Sequence, residues 1–133
     1  MSFVTDLRTF VLAGTGIAAK VGQRMHYQEV PAESHLPAIV YFRVSTVPEN
    51  RLVGRAGLDR RRMQIGVRSN SALEAEEIAD LVQARVEAHS GALGGGSVES
   101  IVFLNRFDGW DPVLESYADD IDVAVWVKPT GDE

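Results

Sequence analysis

Seven arginines lie between Arg43 and Arg68 (43, 51, 55, 60, 61, 62 and 68) against two acids, Glu49 and Asp59, a local charge of +5. Six acids then fall between Asp108 and Asp122 (108, 111, 115, 119, 120 and 122) with no basic residue among them, a local charge of −6. Only two of the 13 basic residues are lysine. A guanidinium is a planar fork of donors that suits ordered, bidentate contacts with carboxylate or phosphate. The Arg60-Arg61-Arg62 run admits three readings: solvated charges at a strand start, a nucleic-acid patch, or one side of a subunit contact. Nucleic acid is disfavoured by the net charge of −6 and by the lack of an aromatic stacking platform within the run. Near-equal opposite charges suit a contact between copies, in which Arg55, Arg60, Arg61, Arg62 and Arg68 of one chain meet Asp108, Asp111, Asp119, Asp120 and Asp122 of the next. Such a contact joins two different surfaces, so it closes into a ring or runs on as a filament. Charge reversal of Arg61 and Arg62 is then expected to block assembly and leave a folded monomer.

Other chemistry finds less support. Gly14, Gly16 and Ala19 match the G-x-G-x-x-A dinucleotide fingerprint, which requires a preceding strand and a long following helix in a parallel βαβ unit. Here the preceding residues are helical in period, so a helix stop and turn is the better reading. No phosphate-binding G-x-x-x-x-G-K-[ST] occurs. His26, His35 and His89 have no metal-ligand spacing, and His89 suits the C-terminal end of a helix dipole. Asp119, Asp120 and Asp122 could offer oxygen ligands to a divalent cation, but three acids near one strand read more simply as a solvated sheet face. No carboxylate pair or Ser-His-Asp set is placed in a pocket. With no cysteine there is no disulfide, thiol nucleophile or cysteine-held metal. No catalytic residue, cofactor or metal is therefore assigned, and no enzyme activity.

These residues must be positioned by elements that 133 residues can build, which is one domain, 1–133. At 45% hydrophobic and 24% charged, the chain has an ordinary globular balance. It has no apolar run approaching the ~20 residues of a membrane helix. Asp6 and Arg8 interrupt the stretch a secretory signal would need, so the expected compartment is the cytoplasm. Phe3, Val4, Leu7, Phe10, Val11 and Leu12 recur at helical spacing, and Ile17 to Val21 adds one further turn before Gly22. Met25 to Val30 reads as a short strand and Ala38 to Val47 as the clearest one. The polar connection from Pro48 to Asp59 is long for a hairpin and makes Glu49, Asn50, Arg51, Gly54 and Gly57 a candidate partner-contact loop. Arg62 to Arg68 alternates, with Met63, Ile65 and Val67 on one side. Ser71 and Glu74 form a capping box for a helix buried through Ala75, Ile78, Leu81, Val82 and Val86. Gly91 to Ser97 is a turn, followed by strands at Val98–Phe107 and Tyr117–Val127 and a loose tail from about 128. The order α-β-β-β-α-β-β implies an α+β fold: a mostly antiparallel five-stranded sheet with two helices on one face.

This pattern resembles the tail-completion, or tail-terminator, family of long-tailed bacteriophages across residues 3–127. The resemblance lies in an N-terminal helix ending in a Val-Gly-x-Arg turn (Val21, Gly22, Arg24), and the strand entry Leu36-Pro37-Ala38-Ile39-Val40. It continues through a long hairpin loop, the Arg62-Met63-Gln64-Ile65-Gly66-Val67 strand and an Ala-Glu-Ala helix over Leu73–Val86. The closing strand ends Asp122-Val123-Ala124-Val125-Trp126. The chain departs from the family at Gly66, where members often carry a polar residue. The resemblance implies a non-enzymatic virion protein, assembled in the host cytoplasm. It would form a hexameric ring that ends growth of the tail tube and presents a surface to the head connector. DNA would pass only through its lumen. Two alternatives stand beside it: a head-to-tail adaptor of the neck, and a small α/β domain that binds or converts a metabolite.

Overall fold

Phe3, Leu7 and Val11 form one buried stripe of helix α1 (Phe3–Leu12). Gly14 and Gly16 stop that helix and set the turn into α2 (Ile17–Val21), with Gly16 at φ 81°. The glycine fingerprint is thus a helix stop. In the computed structural model, which describes residues 3–31, 34–49, 58–88, 91–92 and 98–127, the strands are β1 (Met25–Tyr27), β2 (Ala38–Glu49), β3 (Leu58–Ser69), β4 (Gly91–Ala92), β5 (Val98–Asp111) and β6 (Ser116–Val127), with helix α3 (Ala72–Ala88) between β3 and β4.

One sheet runs in the order β1-β2-β3-β6-β5-β4. Five strands build it as the α+β reading expects, and β4 adds a two-residue pairing at the edge, within the segment expected as a turn. All neighbours are antiparallel except β1 and β2. β1 is shorter than the expected strand from Met25 to Val30 because Gln28 takes a φ of 76°, which leaves the strand conformation. Strands β2 and β3 both extend past their expected ends and confine the connection between them to residues 50–57, outside the described residues. So Asn50, Arg51, Gly54, Arg55 and Gly57 have no described placement, nor do His89 and the tail from 128.

Side chains alternate across the sheet. Ile39, Tyr41, Met63, Ile65, Val67, Ile121, Val123 and Val125 face the helices and form the core with Phe3, Leu7, Val11, Ile17, Ile78, Val82 and Val86. The two longer helices thus lie on one face. Polar ties fix them there: the Tyr41 hydroxyl donates to the Val4 carbonyl at 2.9 Å, and Arg85 Nε donates to the Phe10 carbonyl at 2.8 Å with its guanidinium over the Phe10 ring. Burial pushes the Tyr41 hydroxyl up to about 12. The start of α3 departs from a simple capping box. The Glu74 amide donates to Ser71 Oγ, but the Glu74 carboxylate accepts from Ser69 Oγ at 2.6 Å, and that oxygen accepts from the Ser71 amide. Ser69 thus relays the second half of the cap.

Ile121 is fully buried at the centre of the sheet. Ile121→Ala is expected to lower stability by about 2–5 kcal/mol through lost burial and a cavity, read as a reduced urea midpoint with an unchanged m-value.

Candidate functional site

The charged residues singled out by the sequence lie on β3, β5 and β6, and the strand pairing decides where each goes. Antiparallel pairing of β3 with β6 sets Gln64 opposite Asp122 and Gly66 opposite Asp120. By alternation Arg62, Gln64, Gly66 and Arg68 all project from the face opposite the helices, as do Asp120 and Asp122. On that face Arg62 Nη2 donates to Asp122 Oδ2. Arg68 Nη1 donates to Asp120 Oδ1, and Gln64 Nε2 donates to Asp120 Oδ2 at 2.9 Å. Arg68 Nε reaches further along the hairpin to Asp111 Oδ2 at 2.8 Å, while Asp111 Oδ1 accepts from the amides of Val113 and Leu114 and closes the β5–β6 turn.

The basic and acidic segments therefore meet within one chain. Asp119, Asp120 and Asp122 are only 5%, 8% and 2% exposed, which corrects the reading of a solvated acidic face. Asp119 projects to the helix side, where it holds Arg106 through two bonds of 2.9 Å. Arg106 also donates to Asp80 and to Gln83 on α3, tying β5 to that helix. Arg61 is 4% exposed, pairs with Asp59 at 3.0 Å and places its guanidinium over the Phe3 ring. Charge reversal at Arg61 thus strikes the fold, so the expected folded monomer does not follow from it. Arg60 lies near Trp126, Arg62 is half exposed, and Asp108 is exposed.

Two residues of this lattice escaped the sequence reading, Arg106 and Gln64, and Gly66 stood out there only as a departure from the resemblance. Gly66 has a steric reason. A Cβ built there would meet Asp120 Oδ1 and lie 2.6 Å from Arg68 Nη1. The glycine thus opens the space in which the Arg68 guanidinium folds back onto Asp120. The matching parity of 62, 64, 66 and 68 with 120 and 122 was the available signal, readable only once the β3–β6 register is known.

Titration follows from burial. Burial pushes the Asp120 carboxyl up, against the pull of Arg68 and Gln64 and with the Asp119 charge adding to the rise. Burial also acts to raise Asp111, but the Leu114 amide, Arg68 and the Val113 amide together hold it below the usual carboxylate range. Among the described residues, no group of three or more His, Asp or Glu is arranged to hold a metal ion. A shallow hollow of about 320 Å³ is lined by Glu76, Asp80, Arg106, Phe107, Asp108 and Asp119. Its guanidinium is already bonded to Asp80, Gln83 and Asp119 rather than aimed into the space.

A sheet with helices on one face and an ionic lattice on the other is a scaffold that offers surfaces, and known proteins of this kind identify its class. A chain in the solved virion of a native gene transfer agent particle shares the fold, with a TM-score of 0.67 and 19% identity over 91% of this chain and 90% of that one. No curated protein matches the sequence. The family model described as "Tail completion protein gp17" matches residues 5–128. The protein is a structural component of a phage-type tail. It belongs to the tail completion protein gp17 family.

Arg68→Met leaves the buried Asp120 carboxylate without its cation and is expected to cost about 3 kcal/mol or more at pH 7. It also removes the charge that opposes burial at Asp120, so that carboxyl rises further. A raised value in the folded state means the folded chain binds the proton more tightly than the unfolded one. The variant therefore regains stability as pH falls from 7 toward about 4, the unfolded carboxylate value. Asp111, held low in the native protein, acts in the opposite sense and loses its contribution only below that value. Urea midpoints at pH 7 and pH 5 check the Asp120 sign, and a further midpoint at pH 3 checks that of Asp111.

Proposed function

We propose that the protein forms a ring, six copies in the reading we favour, on the end of the completed tail tube. There it ends tube polymerisation and joins the tube to the head connector. The observation that carries this reading is membership of the tail completion family across residues 5–128. Assembly proceeds by matching surfaces, with no bond made or broken, and DNA meets the protein only in passing through the lumen. On this reading the protein works in the neck of the virion and is assembled in the host cytoplasm.

The charge segments supply the proposed subunit contact through members that keep exposed surface. Arg60 and Arg62 lie on β3, and Asp108 on β5. Arg61, Arg68, Asp111, Asp119, Asp120 and Asp122 support that contact from within, by holding the strands that carry it. The segment from Glu49 through Asn50, Arg51, Gly54 and Gly57, with Arg55, is proposed to reach a neighbouring ring or the lumen.

Native mass spectrometry across a concentration series tests the ring. Six copies of the 14.5-kDa chain give a species at about 87 kDa, which is the expected result. A monomer at every concentration that also fails to bind the ends of purified tail tubes would overturn the proposal. A monomer carrying a small bound mass would favour a ligand-binding domain instead.

A further inference from the structure

Both edges of the sheet leave a strand half paired. Edge strand β1 covers only Ile39–Tyr41 of β2, and β4 covers only Ser100 and Ile101 of β5. Among the described residues, β2 beyond Tyr41 has β3 as its sheet neighbour, and β5 beyond Ile101 has β6. Exposure marks the same two runs. Arg43, Val44, Ser45 and Thr46 are exposed in succession, and so are Leu104, Asn105 and Phe107 through Trp110, with Arg106 half-buried between them. Ala118 through Val125 of β6, by contrast, are buried in succession. Each edge strand also carries a register shift, at Val44 in β2 and at Leu104 in β5, and both extra residues hold an apolar side chain in the open.

An open strand edge is a template for a further strand, and soluble proteins blunt such edges with lysine, proline, bulges or extreme shortness. Here each bulge is a single residue, and pairing with the inner strand resumes directly beyond it. The run from Leu104 to Asp111 has neither lysine nor proline, and it exposes Leu104 (43%), Phe107 (43%) and Trp110 (54%). We propose that this β5 edge pairs antiparallel with the β2 edge of a second copy, so that the sheet continues head to tail from subunit to subunit. The inference rests on the ring reading above and names the surfaces that join.

Strand direction supports a second copy as the occupant. Three antiparallel pairings separate β2 from β5, so the two run in opposite directions. A neighbour in the same orientation therefore presents β2 antiparallel to β5, and the alternation of the sheet is unbroken. Charge supports unlike edges over like ones. Arg43 lies opposite Met63 and Asp108 opposite Asp119, so both project from the helix-bearing face. The antiparallel register that sets Arg43 against Asp108 also brings Val44 beside Phe107, pairing opposite charges and two exposed apolar groups. Two β5 edges would instead bring Asp108 toward Asp108. The contact joins different surfaces, which is the geometry a closed ring requires.

The chain has no cysteine, so introduced thiols report the contact without background. Facing residues of an antiparallel pair have Cα atoms ~4.5–5.5 Å apart, within the span of a disulfide. Oxidised Arg43→Cys/Asp108→Cys protein is expected to give a non-reducing ladder at multiples of 14.5 kDa, while each single variant stays monomeric on the gel. A dimer from Asp108→Cys alone would show like edges paired and overturn the proposal. A ring mass in the native spectrum with no ladder would overturn the edge contact and leave the ring standing. A monomer with no ladder would overturn the edge contact, and the ring reading with it if the protein also fails to bind the ends of purified tail tubes. Cysteines that link only to added tail tube protein would assign the edge to that partner and overturn it too. A charge swap gives a second readout free of oxidation: Arg43→Asp is expected to abolish the high-mass species, and adding Asp108→Arg to restore it. Failure to restore it in a folded double variant would count against the contact.

Discussion

Arg68 and Asp120 pair diagonally across neighbouring strands on the side of the sheet that the helices leave open, and the chain must keep that pair satisfied because both groups are buried. Gly66 makes the space, Gln64 supplies the second donor to the carboxylate, and Asp111 takes the other side of the guanidinium. Removing any one leaves a charge with too few partners in a place where water does not replace them. An ionic lattice of this kind is weak evidence for net stability, since desolvation offsets much of the attraction. Its firmer consequence is register. Sliding β3 by one residue against β6 would turn Arg62, Gln64 and Arg68 into the helix-packed core and Met63, Ile65 and Val67 out of it. The apolar face and the ionic face thus fix the same alignment from opposite sides.

A second joint links the N-terminal helices to the sheet. Gly22 takes a φ of 61°, a conformation that costs glycine little, and its amide closes α2 by donating to the Ala18 carbonyl. The turn it permits brings Arg24 to the entry of β2. There Arg24 Nε donates to the Pro37 carbonyl at 2.9 Å, and the Ile39 amide donates to the Arg24 carbonyl. Arg8 of α1 adds bonds to the carbonyls of Gln23 and Met25. Val21, Gly22, Arg24 and the Leu36-Pro37-Ala38 strand entry are separate in sequence, but in the fold they make one contact.

Local periodicity made the helices and the longer strands legible. The stripe of Phe3, Leu7 and Val11 and the alternation of Met63, Ile65 and Val67 each report burial against one neighbour, and burial of that kind repeats in the sequence. The long-range terms were not legible. Nothing near Asp119 announces that it lies under Arg106 and α3, because parity puts it on the opposite face from Asp120. Strand ends were misread where pairing continued beyond the apolar run: β3 begins at Leu58 because Arg60 and Arg61 pair with β2 and β6 whatever their polarity. Gln28 shortened β1 through a backbone angle that its residue type does not signal. The charge sums of +5 and −6 were counted correctly, but the sums do not say which copy supplies the partner.

That last point bears on how such a chain assembles. Guanidinium and carboxylate groups that are buried and bonded within the chain are not available to a neighbour, so Arg61, Arg68, Asp119, Asp120 and Asp122 are taken up in building the monomer. Among the described residues, the sheet offers a neighbour something of another kind: main-chain groups along two strand edges, with exposed apolar side chains beside them. Hydrogen bonds along a strand edge carry little sequence information of their own, so specificity must come from the few side chains that flank the edge. Arg43 on one edge and Asp108 on the other are the kind of flanking pair that selects an unlike edge over a like one. The net charge of −6 opposes indiscriminate association between copies at long range, while a single matched pair acts only at contact. The internal lattice and the open edges are therefore complementary parts of one design. The lattice makes the sheet rigid and fixes its register, and a sheet of fixed register is what allows its edges to be read by a partner.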